Sequence, residues 1–303
     1  MAYSPQDYVL PDGLLHALEG AMALGQPLLL TGEPGTGKTT LADWAAWRLG
    51  QQPASGQAAF APEVLRFQTK TSSIAQDLFY TYDALAHFQA ANLGGSTQGA
   101  EAFIELQALG KAIAMSDPRP AYAGLFRTTL PTAPQSSVVL IDEVDKAPRD
   151  FTNDILDEID RKRFFLREHN LSIEKGDQAQ IMVIMTSNSE KNLPDPFLRR
   201  CAFFHIEFPR GERLRSIVHR HLGANTPFAG KALDDLLAFF ESVRQASVRK
   251  KPATAELIGW LRILGLHDYL NKPSPAQKQL MRDNLAFLVK TQEDLEAVRK
   301  LLS

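Results

Sequence analysis

The sequence predicts an α/β fold with a central, mostly parallel sheet, followed by an all-helical C-terminal segment. Three observations predict it. A glycine-rich loop, Gly32-Glu33-Pro34-Gly35-Thr36-Gly37-Lys38-Thr39, lies between a short apolar run and a helix-periodic one. A β-branched run, Ser137-Val138-Val139-Leu140-Ile141, ends in the acids Asp142 and Glu143. After Gly211 the apolar spacing is helical throughout. Strand patterns alternating with helix patterns argue for parallel strands joined by crossover helices.

Taken in order, Pro11 to Met22 carries Leu14, Leu15, Leu18 and Met22 at helical spacing, and Gln26–Thr31 reads as a buried strand. Thr39–Leu49 is helix-periodic through Leu41, Ala45 and Leu49, and Val64–Gln68 is a second strand. Residues 73–116 read as mainly helical, with a break around Asn92–Ser96. The proline-rich stretch 117–136 reads as a loop. After Asp142, residues Phe151, Ile155, Leu156 and Ile159 mark a helix. Phe164-Phe165-Leu166 and Leu171-Ser172-Ile173 flank His169-Asn170 as a β-hairpin. Ile181–Met185 and Phe203–Phe208 are the last strands, and helices are expected near 212–222, 231–246, 254–270, 275–289 and 292–302. The aromatic stripe Phe79, Tyr80, Tyr82 and Phe88 is expected to be core.

Lys plus Arg is 33 and Asp plus Glu is 35, a net charge of −2 over 303 residues, which excludes a chain-wide attraction to nucleic acid or an anionic membrane. The charge is uneven. Up to Pro209, 17 basic and 25 acidic residues give −8; from Arg210 onward, 16 basic and 10 acidic give +6. Two domains are therefore expected, 1–209 and 210–303. The lone cysteine, Cys201, excludes an intramolecular disulfide and a cysteine zinc site, and the seven histidines are scattered. Residues Met1–Asp7 lack a basic or apolar leader, and no apolar run approaches the ~18 residues that span a bilayer. A cytoplasmic protein with no membrane partner is expected.

The loop matches G-x-x-x-x-G-K-[ST]. Its glycines let backbone N–H groups turn inward on phosphates, and the helix that follows presents its positive end to them. Lys38 can reach the β- and γ-phosphates, and the Thr39 hydroxyl can ligate Mg²⁺. A chance glycine-rich turn would have no reason to sit between a strand and a helix. Asp142, at the end of a strand beside such a loop, would hold the Mg²⁺ water shell, and Glu143 could act as general base. Thr186-Ser187-Asn188, at the end of another strand, offers an amide to orient the attacking water.

With these elements in this order, the sequence resembles the AAA+ ATPases over about residues 10–300, and within them the MoxR-like group. The group likeness rests on Ile141-Asp142-Glu143-Val144-Asp145-Lys146-Ala147-Pro148 and the helix to Arg161. The resemblance implies a P-loop AAA+ core, with an insert in its second helix at 73–116 and a hairpin insert before the Asn188 strand, followed by a helical lid at 210–303. It implies ATP and Mg²⁺ as cofactors, held by Gly32, Glu33, Pro34, Gly35, Thr36, Gly37, Lys38, Thr39 and Thr40 of Walker A. Asp142 and Glu143 are then Walker B, and Asn188 is sensor 1. Within Leu193–Arg200, Arg200 or Arg199 would be an arginine finger for a neighbouring subunit. Lys251, in Arg249–Glu256, is the candidate second sensor.

A ring oligomer is implied, a hexamer, that remodels or activates a protein client, with von Willebrand factor A domain proteins as frequent partners. Two alternatives stay open. An AAA+ motor or loader acting on nucleic acid shares the motifs, but the near-neutral charge and the lack of a basic–aromatic stripe speak against it. A P-loop kinase would not need Glu143, an Asn188-type sensor or a lid.

Overall fold

The computed structural model describes residues 4–51, 56–92, 99–188, 193–223 and 226–302. By contact they form two compact units. One comprises Leu10–Gly32 and Gly37–Ile206; the other comprises the described residues up to Val9, Glu33–Thr36 and everything from Glu207 onward. The segment up to Val9, which the charge argument placed in the first domain, thus groups with the helical residues.

The first unit opens with α1 (Leu14–Leu24), β1 (Leu28–Thr31), α2 (Lys38–Gly50) and β2 (Leu65–Gln68). Next come β3 (Tyr80–Tyr82), α3 (Ala84–Asn92), β4 (Ile104–Leu106) and α4 (Ala108–Ser116), then β5 (Ser137–Asp142) and α5 (Arg149–Arg161). The unit ends with β6 (Arg163–Leu166), β7 (Leu171–Glu174), β8 (Ile181–Thr186), α6 (Asp195–Leu198) and β9 (Ala202–His205). Five strands form one sheet in the order β2-β5-β8-β1-β9, and every neighbouring pair is parallel. The central strands β1, β5 and β8 are buried almost end to end. Both of their faces are covered, which is why they read as unbroken apolar runs. The edge strands β2 and β9 alternate between partly buried and exposed.

Strand register brings the polar strand ends to one edge. Gln68 pairs with Asp142, Ile141 with Met185, and Leu30 with Thr186. The ends of four adjacent strands therefore form a rim beside the loop that leaves β1, the usual place for a ligand in an open parallel sheet. Beneath it lies a core built from Leu29, Val139, Ile141, Val183 and Met185 with Phe151 and Ile155 of α5 and Ile113 of α4.

Residues 73–116 depart from the mainly helical expectation. β3 and β4 form an antiparallel pair around α3, with Tyr80 opposite Leu106. Alternating aromatic residues, Tyr80-Thr81-Tyr82, suit a pleated surface better than a helix turn. The expected break falls mostly on residues 93–98, outside the described residues. The aromatic stripe divides accordingly: Phe79 and Tyr80 are core, whereas Phe88 on α3 is 68% exposed. The hairpin β6–β7 has the expected form, with Phe164 opposite Ile173.

The helical unit contains α7 (Gly211–Leu222), α8 (Gly230–Ala246), α9 (Thr254–Leu266), α10 (Ser274–Asp283) and α11 (Gln292–Arg299). Its core gathers Leu214, Val218, Phe240, Val243, Leu257, Trp260, Leu261 and Leu288, and Phe239 stacks on Trp260 at 5.6 Å. Two helices are shorter than expected. α9 stops at Leu266 and not at 270, because Asp268 takes a positive φ of 54°. α10 stops at Asp283, and Leu285–Phe287 continue as a 3₁₀ turn. No helix among the described residues is long and apolar enough to cross a membrane.

Candidate nucleotide site

The loop after β1 reaches α2 through Gly35 and Gly37, both at positive φ (76° and 89°), a conformation that side chains with a Cβ rarely adopt. Gly37 is the residue before α2, so the helix begins at Lys38 with its N-terminal donors toward the loop. Gly32 and Thr36 are buried, Glu33, Pro34 and Gly35 exposed. The Thr36 hydroxyl donates to the Glu33 carbonyl at 2.9 Å and that of Thr40 to the Gly37 carbonyl at 2.8 Å, so both hydroxyls brace the turn.

Lys38 is only 7% exposed. Its amine donates to the Gly32 carbonyl at 2.7 Å and to Asn188 Oδ1 at 3.0 Å. Burial pushes its pKa down, opposed by the charges of Asp142, Asp145 and Glu143. Thr39 Oγ1 donates to Asp142 Oδ1 at 3.2 Å. One hydroxyl and one carboxylate suit a hard divalent cation that keeps several waters and binds phosphate oxygens, as Mg²⁺ does. Among the described residues, no group of three or more His, Cys, Asp or Glu side chains could hold a metal on its own.

Thr186 ties the acidic pair in place. Its hydroxyl donates to Asp142 Oδ1 at 2.5 Å and accepts from the Glu143 N–H at 2.9 Å. Glu143 sits in the left-handed region, φ 58° and ψ 48°, so the chain turns sharply at the residue proposed as base. One carboxylate oxygen of Glu143, Oε2, accepts from Gln68 Nε2 at 2.8 Å and from Lys146 Nζ at 2.5 Å. The Asn188 N–H donates to Asp145 Oδ1 at 3.3 Å, which anchors the turn after β8 to the segment after β5.

The structure thus brings together Lys38, Thr39, Asp142, Glu143 and Asn188. It places Asn188 on Lys38, with no hydrogen bond to Glu143. Sequence reading missed Gln68, Lys146 and the linking role of Thr186. The alternation of β2 and the lysine three residues after Glu143 could have raised the first two; Thr186 is legible only from strand register. Arg199 and Arg200 follow α6, outside this group. Both are exposed, and Arg200 Nε lies 3.2 Å from Asp160 Oδ2. Cys201 donates to the Phe197 carbonyl at 3.1 Å, and burial pushes its thiol up to about 12, an inert state. Lys251 is exposed in the loop before α9, in the helical unit.

No curated protein matches the sequence. Among solved structures, the chain is similar to domain III of the Thermotoga maritima replication initiation protein DnaA, with 14% identity over 95% of this chain and 98% of that one and a TM-score of 0.48. It is also similar to a candidate ATPase from Cytophaga hutchinsonii, with 14% identity over 98% of this chain and 89% of that one and a TM-score of 0.44. The family model described as "ATPase family associated with various cellular activities (AAA)" matches residues 28–210. That match spans the loop, all five strands of the parallel sheet and both polar strand ends, and the chain belongs to the AAA family of ATPases.

Proposed function

We propose that the chain is a Mg²⁺-dependent ATPase of the MoxR-like group, acting in the cytoplasm as a ring, a hexamer, that remodels or activates a protein client. The observation that carries the catalytic part is the convergence of Lys38 and Thr39, at the start of α2, with Asp142 and Glu143, where β5 ends. ATP is the source of the transferred phosphoryl group, and bound Mg²⁺ would neutralise the charge that develops on it. Lys38 exchanges its bonds to Gly32 and Asn188 for phosphate oxygens, while the Thr39 hydroxyl would ligate the cation and Asp142 would hold its water shell. Glu143 accepts the proton of the attacking water, which requires a lone pair not committed to Gln68 or Lys146. Asn188, released from Lys38, orients that water.

Arg200, or Arg199, completes a neighbour's site, for which Arg200 must leave Asp160. Lys251 reads the nucleotide from the helical unit. Two features support the MoxR-like assignment: the β3-α3-β4 excursion occupies the span of the group's helix insert, and the β6–β7 hairpin precedes β8 as its second insert does. A von Willebrand factor A domain protein is the proposed partner class.

The test is ATPase activity per subunit against protein concentration, with particle size read on the same samples. Activity and size rising together is the expected result. Active monomers would overturn the ring, and salt-dependent nucleic-acid binding would favour a motor or loader instead.

A further inference from the structure

In the helical unit one carboxylate sits where a bound anion would, at the focus of three consecutive backbone donors. Asp294, 1% exposed, accepts from the N–H groups of Val248 (2.8 Å) and Arg249 (3.0 Å) on Oδ1 and of Lys250 (3.0 Å) on Oδ2. Successive N–H groups converging on one point form an anion-binding concavity. These bonds, chiefly that from Arg249, together with the Thr291 hydroxyl, hold the Asp294 carboxyl down at about 2 despite its burial.

Capping α11 does not require this. Thr291 precedes the helix, and its hydroxyl oxygen already accepts from the Asp294 N–H at 3.2 Å, as an N-cap does. An acid at the third helical position ordinarily reaches back to the N-cap N–H. Here it reaches 44–46 residues away in sequence, to the loop between α8 and α9. That loop carries Arg249, Lys250 and Lys251, all exposed. The Arg249 side chain is already paired with Glu293 at 2.7 Å. The far end of the loop is held as well: Arg244 of α8 donates to the Pro252 carbonyl while lying 3.4 Å over the Phe208 ring.

We propose that Asp294 is a positioning residue for the nucleotide-sensing cation, fixing the backbone of 248–250 so that Lys251 is presented at one place ahead of α9. The inference deepens the proposed function and rests on the Lys251 role stated there. A lysine on a tethered backbone loses less freedom when it meets a phosphate than one on a free loop, so the tether appears in ATP affinity as well as in stability.

The experiment measures ATP KM, kcat and melting temperature for the full chain and for Lys251→Ala, Asp294→Asn, Asp294→Glu, Thr291→Ala and the Lys251→Ala/Asp294→Asn double variant. Asp294→Glu keeps the charge but displaces the loop, and so serves if Asp294→Asn does not fold. The expected result is ATP KM raised about tenfold by Lys251→Ala, similarly by either Asp294 variant, and no further by the double. Thr291→Ala, which removes the cap of α11 and one bond to Asp294 Oδ2 but none of the three loop bonds, should lower the melting temperature and raise KM less than either Asp294 variant. Asp294 variants that melt earlier but keep the wild-type KM, while Lys251→Ala raises it, would overturn the positioning role and leave the sensor standing. An unchanged KM and kcat in Lys251→Ala would remove the sensor itself, and the inference with it.

Discussion

Lys146 Nζ lies 2.5 Å from Glu143 Oε2, and both groups belong to the short turn that leaves β5. Gln68, at the end of the neighbouring strand β2, donates to the same oxygen. Glu143, the proposed base, is thus held by two donors at once. Pairing with Glu143 in turn pushes the Lys146 pKa up.

Removing one donor should free the base. Lys146→Met is expected to raise basal ATP turnover a few-fold, because Glu143 Oε2 then keeps only the Gln68 donor. Steady-state phosphate release checks this. A fall in kcat would show that Lys146 orients Glu143 productively and does not restrain it.

Glu143→Gln keeps the shape and loses the proposed base. Turnover should fall by about 10²–10⁴ with ATP binding retained. Lys38→Met should do the reverse, weakening ATP binding by at least about 30-fold, because a desolvated cation paired with phosphate is lost. Fluorescent-nucleotide titration beside single-turnover hydrolysis separates the two, and normal turnover in Glu143→Gln would remove it as the base.

Arg200→Ala should cut turnover at least about 10³-fold, the lower end of the range known for arginine fingers, and leave ATP affinity intact. Mixed with Glu143→Gln subunits, it should give activity that depends on the ratio in a non-linear way. A mixture that averages its components would mean that Arg200 does not act in trans, and Arg199 would be tried next.

Gly110, in α4, packs so closely that a Cβ there would meet the Phe79 carbonyl oxygen at 1.9 Å. Gly110→Ala should destabilise the α/β unit by about 1–3 kcal/mol through overpacking. Urea unfolding would read it, and an unchanged midpoint would mean that the contact relaxes at no cost.

Asp294 should make the helical unit acid-sensitive in a narrow window. Its folded pKa of about 2 lies below the ordinary 3.8, so its contribution is fully present above about pH 4 and is lost as the pH falls toward 2. The adjacent Glu293 is itself paired with Arg249, at 2.7 Å. The melting-temperature gap between wild type and Asp294→Asn should be constant from pH 6 to 4 and close below pH 3. A constant gap at every pH would show that the charge contributes nothing.

The order of elements and the main chemical groups were legible in the sequence, because each leaves a local signature. The β-branched run Val138–Ile141, ending in acid, is the clearest strand signal in the chain, and Gly35 and Gly37 with Lys38-Thr39 mark a phosphate loop through backbone freedom and charge over eight residues. The β3-α3-β4 excursion was not legible. Three-residue strands carry too short an alternation to outweigh the helical spacing around them, and their pairing partner lies about 25 residues away. Nor could the sequence show that Gln68 and Lys146 meet on one oxygen of Glu143, or that Asp294 holds residues 248–250. Strand register and helix packing decide those contacts, since a side chain finds a partner remote in sequence only once the backbones between them are fixed.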